Sequence, residues 1–403
     1  MKIIEKGPLT LVRGINASGI HCGIKLGGKR DLALIYSDTQ ATAAGVFTSN
    51  IAVAAPVIVS RENLRGSYAQ AIVINSGIAN AATGEKGMKD ALQMAKLTAS
   101  ALKISLNSVI VASTGRIGRF LPMEKIAPGI DKAVSSLSKD GGEEAAEAIL
   151  TTDTFSKQIA VQIEMAGSLI TVAGMAKGAG MIRPDMATML AFLATDANVN
   201  KDFLGKVLKD AVKKTFNRIS VDGDTSTNDM VIILANGNSG SETISSAGSE
   251  DADKFTEAVE YICQRLSLMI VSDGEGATKL IRIDVVGARS ETDASKIAFR
   301  IAESPLVKTS FYGKRCNWGR LIAAAGAADV PIDPQKIDIF YGSIQVVGNG
   351  IGLGSEREKE AETFLLARDI NIRLDLHLGE AAGTVWTTDL SPDYIHINAD
   401  YIS

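Results

Sequence analysis

An α+β fold follows from three features of this 403-residue sequence. Short apolar and β-branched runs alternate with glycine turns over the first 75 residues, several later stretches carry apolar residues at helical spacing, and the last third mixes both patterns. With 46% hydrophobic and 22% charged residues the chain can bury a sizeable core. It is longer than the roughly 250–300 residues at which single cores stop growing. Three segments are therefore expected: 1–195 as a sheet-and-helix core, 196–282 as an α/β segment, and 283–403 as a smaller C-terminal α+β lobe whose terminus packs back onto the body.

Taken in order, residues 14–24, 31–36, 44–48 and 53–59 read as strands, and 71–75 is a continuous apolar run suited to a buried strand. Residues 75–84 are small and polar, fitting either a loop against a ligand or a strand-to-helix connection. A helix is predicted over 87–102, with Met88, Leu92, Ala95, Ala99 and Leu102 on its apolar face. The strand over 108–118 ends in Thr114-Gly115, where a hydroxyl and a backbone N–H could both face an anion, or where glycine simply supplies a turn.

Further helices are predicted over 141–150, 202–216 and 252–269, and strands over 159–163 and 169–172. In the last third, Ile281, Ile283 and Val285 alternate as a strand, 294–302 and 356–367 read as helices, and 337–347 is mostly extended. Alternation at Ile372, Leu374, Leu376 and Leu378 followed by 383–387 suggests a hairpin. Residues 394–403 are too apolar for a free tail.

Several functions are disfavoured. Lys plus Arg at 42 against Asp plus Glu at 46 gives a net charge of −4, which offers no general attraction for nucleic acid. Cys22, Cys263 and Cys316 are scattered without metal-ligand spacing and suit a reducing compartment, and no signal core or apolar run of about 18 residues occurs, so a cytoplasmic protein without a membrane partner is expected. In the acidic loop 220–229, Ser226 and Thr227 stand where a calcium loop needs an oxygen ligand and a glycine, and the glycines over 346–355 miss the dinucleotide register. No metal and no cofactor are expected. His21, His377 and His396 lack a nucleophile signature nearby.

What remains is the stretch MAKGAGMIRPDMATMLAFLATD over 175–196. Gly174, Gly178 and Gly180 free the backbone around Lys177, Pro184 stiffens the approach, and small Ala187 leaves the carbonyl before Thr188 open to attack. A loop feeding an ordinary strand is the plainer alternative. A threonine freed at its N-terminus needs no histidine, because its α-amine, with a pKa of about 7.7–8.0, is itself a base near neutral pH.

Residues 177–190 closely resemble the self-processing motif of the ornithine acetyltransferase (glutamate N-acetyltransferase) family. Similar blocks recur at 75–84, 113–115, 121–123, 151–154, 221–229, 273–278, 317–320 and 398–403, so the resemblance spans nearly the whole chain. It implies a layered αββα sandwich-like core, cleavage between Ala187 and Thr188, and Thr188 as the nucleophile that carries acetyl from N-acetylornithine to glutamate. Acetyl-CoA is a further candidate donor.

By position, the resemblance also implies Thr114 and Gly115 as the oxyanion pair and Thr154, Lys177, Thr188, Glu275, Asn398 and Ser403 as substrate-binding residues. The two chains from one precursor are expected to assemble as a heterotetramer of two of each. Arg116, Arg119 and Ile78 depart from the family pattern and bear on substrate preference. A self-processing aminopeptidase or amidase of related fold and an acetyltransferase of a secondary-metabolite pathway are the alternative activities.

Overall fold

The computed structural model describes residues 1–165, 167–183 and 189–400. Among them, β1 (Lys2–Glu5), β2 (Ile15–Ile20), β3 (Leu32–Phe47), β4 (Tyr68–Ile78), β5 (Val109–Arg116), β6 (Lys157–Met165), β7 (Ser168–Lys177), β8 (Leu190–Thr195) and β9 (Met230–Ala235) form one mixed sheet. Its order is β1-β6-β7-β8-β9-β3-β4-β5, with β2 also on β3. Strand β3 is the fold line. Its first part pairs with β2 and β4, its last part pairs with β9, and the β4 ladder breaks between Tyr36 and Ala41.

Folding at β3 lets the two halves of the sheet share an inner core. Ile35, Ile72 and Ile110 from one half and Met175, Phe192 and Ile232 from the other join one buried cluster. Because strand side chains alternate faces, the intervening residues point outward and each half takes a helical layer. Helices α1 (Ala55–Asn63), α2 (Gly84–Leu102) and α3 (Met123–Ser135) lie with Leu34, Val73 and Val111, and α4 (Gly142–Ala148) packs on β2. Helices α5 (Lys201–Lys214) and α6 (Glu250–Ser272) cover Val161, Val172, Leu193 and Val231. The result is the αββα sandwich that the resemblance implied.

The smaller lobe carries β10 (Leu280–Ala288), β11 (Asp338–Tyr341), β12 (Ile344–Gly348), β13 (Ile351–Gly352), β14 (Asp369–Asp375) and β15 (Ala381–Thr388) in the order β13-β12-β11-β14-β10-β15. Helices α7 (Glu291–Ala302), α8 (Pro305–Tyr312), α9 (Trp318–Gly326) and α10 (Ser355–Phe364) belong with it, and α11 (Pro392–Asp400) ends the described chain. A bridge from Ile219 to Trp386 ties this lobe to the first.

Three local expectations are corrected. Residues 53–59 do not form a strand: Pro56 sits in the first turn of α1, a position where its missing N–H costs nothing, and it overrides the β-branched Val57-Ile58-Val59 run. The buried face of α2 is Ala91, Met94, Ala95, Thr98 and Ala99, while Leu92 is exposed, because small residues allow α1 and α3 close approach. Strands β14 and β15 are not a hairpin, since β10 lies between them, parallel to β14 and antiparallel to β15.

Helix α11 has no buried residue and leaves Ile395 62% exposed. It is held by polar contacts rather than by apolar burial. Tyr394 donates to Asp222 Oδ2 at 3.3 Å and Asn398 to Glu275 Oε2 at 2.8 Å.

The α6 layer rests on Phe255, which has no exposed surface. Phe255→Ala is expected to lower unfolding free energy by about 3–5 kcal/mol through lost transfer energy and the cavity left behind. Ile51→Ala, at a side chain 99% exposed, should change it by less than about 0.5 kcal/mol; urea denaturation compares the two.

Candidate active site

The ends of β4 and β5 build the first wall. These strands run parallel with Asn75 opposite Ser113, Ser76 opposite Thr114 and Gly77 opposite Gly115. At Gly115 φ is +124°, and a Cβ there would sit 2.3 Å from the Gly77 carbonyl carbon, so only glycine fits. The wall is braced from behind. Ser113 Oγ donates to Asn75 Oδ1 at 2.5 Å, and Asn75 Nδ2 donates to the Ile78 carbonyl at 2.8 Å. Thr114 and Gly115 thus reach a cleft at the strand ends, with a hydroxyl and a backbone amide available at adjacent positions.

Strand β7 delivers Lys177 as its last residue, opposite Leu190, the first residue of β8. The Lys177 side chain is 2% exposed and its Nζ lies 4.0 Å from Asp153 Oδ2. Burial lowers the Lys177 pKa, and the charges of Asp153, Asp229 and Glu275 oppose that shift. The Asp153 side chain is wholly buried, yet its carboxyl is held well below the usual range: Lys177 and Lys157 more than offset the cost of burial.

The other partners of Asp153 complete a buried ion cluster. Lys157 Nζ donates to Asp153 Oδ1 at 2.7 Å and to Asp273 Oδ2 at 2.6 Å, and Gly178 N–H donates to Asp153 Oδ1 at 2.6 Å. Two residues beyond Asp273, Glu275 enters the cleft, its N–H bonded to the Ala179 carbonyl at 3.0 Å. A Cβ on Gly180 would meet the Glu275 carboxyl at 2.4 Å, so the glycine lets that carboxyl lie over the loop.

The third wall is the loop 220–229. Asp222 accepts from the Met181 and Ile182 amides at 2.6 and 2.8 Å, which pins the backbone leading into Arg183. Asn228 donates to the Ala79 and Ser113 carbonyls at 2.6 and 2.9 Å. Together these walls enclose about 300 Å³, which Thr151, Thr152, Arg116 and Asn398 also line. That volume suits an amino-acid derivative. A cleft of about 630 Å³ at Arg183, Arg218 and Arg300 contains none of the residues expected in the site.

Of the expected site residues, Thr114, Gly115, Lys177, Glu275 and Asn398 come together in one cleft, from segments up to 284 positions apart in the chain. Thr154 is placed differently. It is exposed, its N–H and hydroxyl both engage Asp273, and Thr151 and Thr152 line the cleft instead. Ala187, Thr188 and Ser403 lie outside the described residues. Of the departures from the family pattern, Arg116 lines the cleft, while Arg119 is exposed and does not.

Position-by-position reading missed Asp153, Asn228 and Asp229 as parts of the site. The blocks 151–154 and 221–229 were the available signal: both are dense in short polar side chains that serve loops braced by hydrogen bonds.

The chain is similar to known proteins over nearly its full length. The ArgJ family model matches residues 16–403. The arginine biosynthesis bifunctional protein ArgJ of Caldanaerobacter subterraneus subsp. tengcongensis is 48% identical over 405 residues, with all of both chains covered. The protein of that name from Thermotoga neapolitana is 48% identical over 398 residues, covering 96% of this chain and 98% of its own. A crystal structure of the arginine biosynthesis bifunctional protein ArgJ from Bacillus halodurans is 41% identical with a TM-score of 0.50, covering 52% of this chain and 98% of that one. A match over residues 16–403 and relatives of this similarity along the full length establish that the chain belongs to the ArgJ family.

Proposed function

We propose that this chain is a self-processing acetyltransferase that moves acetyl from N-acetylornithine to glutamate, and from acetyl-CoA to glutamate as a second activity. The observation that carries this reading is the convergence of Thr114, Gly115, Lys177 and Glu275 on one cleft, beside the start of the strand that follows Thr188. The bifunctional naming of the full-length relatives supports the second activity. A fragment running from Thr188 to the end would hold slightly over half of the chain, and the Bacillus halodurans chain matches 52% of this one over nearly its own full length.

In the processing step, the Thr188 hydroxyl adds to the Ala187 carbonyl and the peptide C–N bond breaks, leaving an ester and a free α-amine. Water then hydrolyses the ester. In the transfer steps that amine takes the hydroxyl proton as Thr188 attacks the acetyl carbonyl. Ornithine leaves with the proton, and the amine of glutamate attacks the acetyl-threonine ester. The Thr114 hydroxyl and the Gly115 N–H serve as donors to each oxyanion.

Charge assigns the ends of the substrate. Lys177, whose amine stands 4.0 Å from Asp153, suits the α-carboxylate, and Glu275 in the same cleft suits the side-chain amine of ornithine. Asn398 supports Glu275 by its 2.8 Å hydrogen bond. The substrate-binding role of Ser403 belongs to the same reading. So do an assembly of two N-terminal and two C-terminal chains and a cytoplasmic location; no helix among the described residues is long and apolar enough to cross a membrane.

Intact-mass measurement should find two chains meeting at Ala187 and Thr188, and Thr188→Ala should give one chain with no acetyl transfer; a split Thr188→Ala protein ends this reading. Thr114→Val keeps shape but removes a donor, and kcat for transfer should fall about 10²–10³-fold, or about 2.7–4 kcal/mol. Glu275→Gln should raise KM for N-acetylornithine about tenfold or more while leaving KM for glutamate, which has no side-chain amine, within about twofold. Equal changes for both substrates would remove the assignment of Glu275 to the amine.

A further inference from the structure

The loop 226–229 touches both halves of the reaction centre. Asn228, 4% exposed, holds the carbonyl of Ser113, the residue before Thr114, and the carbonyl of Ala79 on the facing loop. The adjacent Asp229 has no exposed surface, and its Oδ1 accepts from the Met189 N–H at 2.9 Å. Met189 follows Thr188 directly, so this bond fixes the amide on the C-terminal side of the nucleophile. The same short segment is itself anchored: Thr48 N–H donates to the Asp229 carbonyl at 3.0 Å, Thr48 Oγ1 to the Ser226 carbonyl at 2.7 Å, and Ala54 N–H to the Thr227 carbonyl at 3.0 Å.

Asp229 is also an unusual residue to bury here. Met230, the residue after it, belongs to the apolar inner core. The Asp229 Oδ2 is buried with no hydrogen-bond partner among the described residues. Burial raises its pKa well above the usual carboxylate range, against the pull of the Met189 amide, the Lys177 charge and the nearby Ser226 hydroxyl. An apolar side chain of the same size would remove the buried carboxyl but leave the buried Met189 N–H without its acceptor, so the acid at this position is matched to that amide.

We propose that Asp229 and Asn228 are positioning residues: as one rigid dipeptide they set the distance between the oxyanion donors at Thr114–Gly115 and the nucleophile before Met189. Asp229 acts through its Oδ1 acceptor and Asn228 through its two carbonyl contacts. The inference rests on Thr188 being the nucleophile.

The test compares Asp229→Asn, Asp229→Ala and Asp229→Leu with the parent and with Thr188→Ala, following splitting by intact mass and acetyl transfer by kcat and KM. Asparagine keeps an acceptor facing Met189 and should retain at least about a fifth of the parental splitting rate and kcat. Alanine should lower both by about 30-fold or more with KM within about threefold. Leucine fills the space without an acceptor and should split as slowly as the alanine variant; it also decides the matter if the alanine variant does not fold. Asn228→Ala should lower kcat about tenfold at unchanged KM.

Parental splitting and kcat in folded Asp229→Leu would overturn the proposal, as would an Asp229→Asn protein as impaired as Asp229→Leu, because that result assigns the effect to the ionisable group. Splitting of Thr188→Ala would instead remove the underlying reading, so the two failures are distinguishable.

Discussion

The site depends first on the buried ion cluster at the start of β6. Asp153, Lys157 and Asp273 form a chain of contacts at 2.6–2.7 Å, and Lys177 stands 4.0 Å from Asp153. None of the four side chains is more than 3% exposed. Charges taken out of water are tolerable only when paired and hydrogen-bonded, so each member fixes the others. The cluster thereby joins the loop before β6, the end of β7 and the C-terminal end of α6 into one rigid corner.

That corner explains why Lys177 and Glu275 appear together. Asp153 accepts from the Gly178 amide as well as from Lys157, so it locks the backbone immediately after Lys177. Asp273 caps the same cluster from α6, and the chain needs only two more residues to bring Glu275 over Gly180. Thr154 belongs to this bracing. Its N–H and hydroxyl both hold Asp273, so a change at Thr154 reaches the cleft through Asp273 and Glu275.

The layers were legible in the sequence because they rest on periodicity. The faces of α5 and α6 at Phe203, Val207, Phe255, Val259 and Ile262 are the ones their spacing indicates. Elements decided by one residue or by distant partners were not legible. Pro56 turns a β-branched run into a helix, and β10 separates two strands that are neighbours in sequence. In the site, Lys177 and Glu275 could be named because a motif matches them, whereas Asn228 and Asp229 act through carbonyls and an amide of other strands. Such roles leave no local pattern, since backbone groups are the same at every position.

The fold also accounts for how the chain, if cut before Thr188 as proposed, would keep one site. Strand β8 is hydrogen-bonded on both sides, to β7 before the proposed cut and to β9 after it. All six residues of β8 are buried, and alternate ones enter the inner and outer cores. A cut between β7 and β8 therefore leaves both of these ladders in place. Thr114, Gly115 and Lys177 come from one piece and Glu275 and Asn398 from the other. The sheet that β3 folds in two, continuous from β7 through β8 to β9, is what holds the two sets at a common cleft.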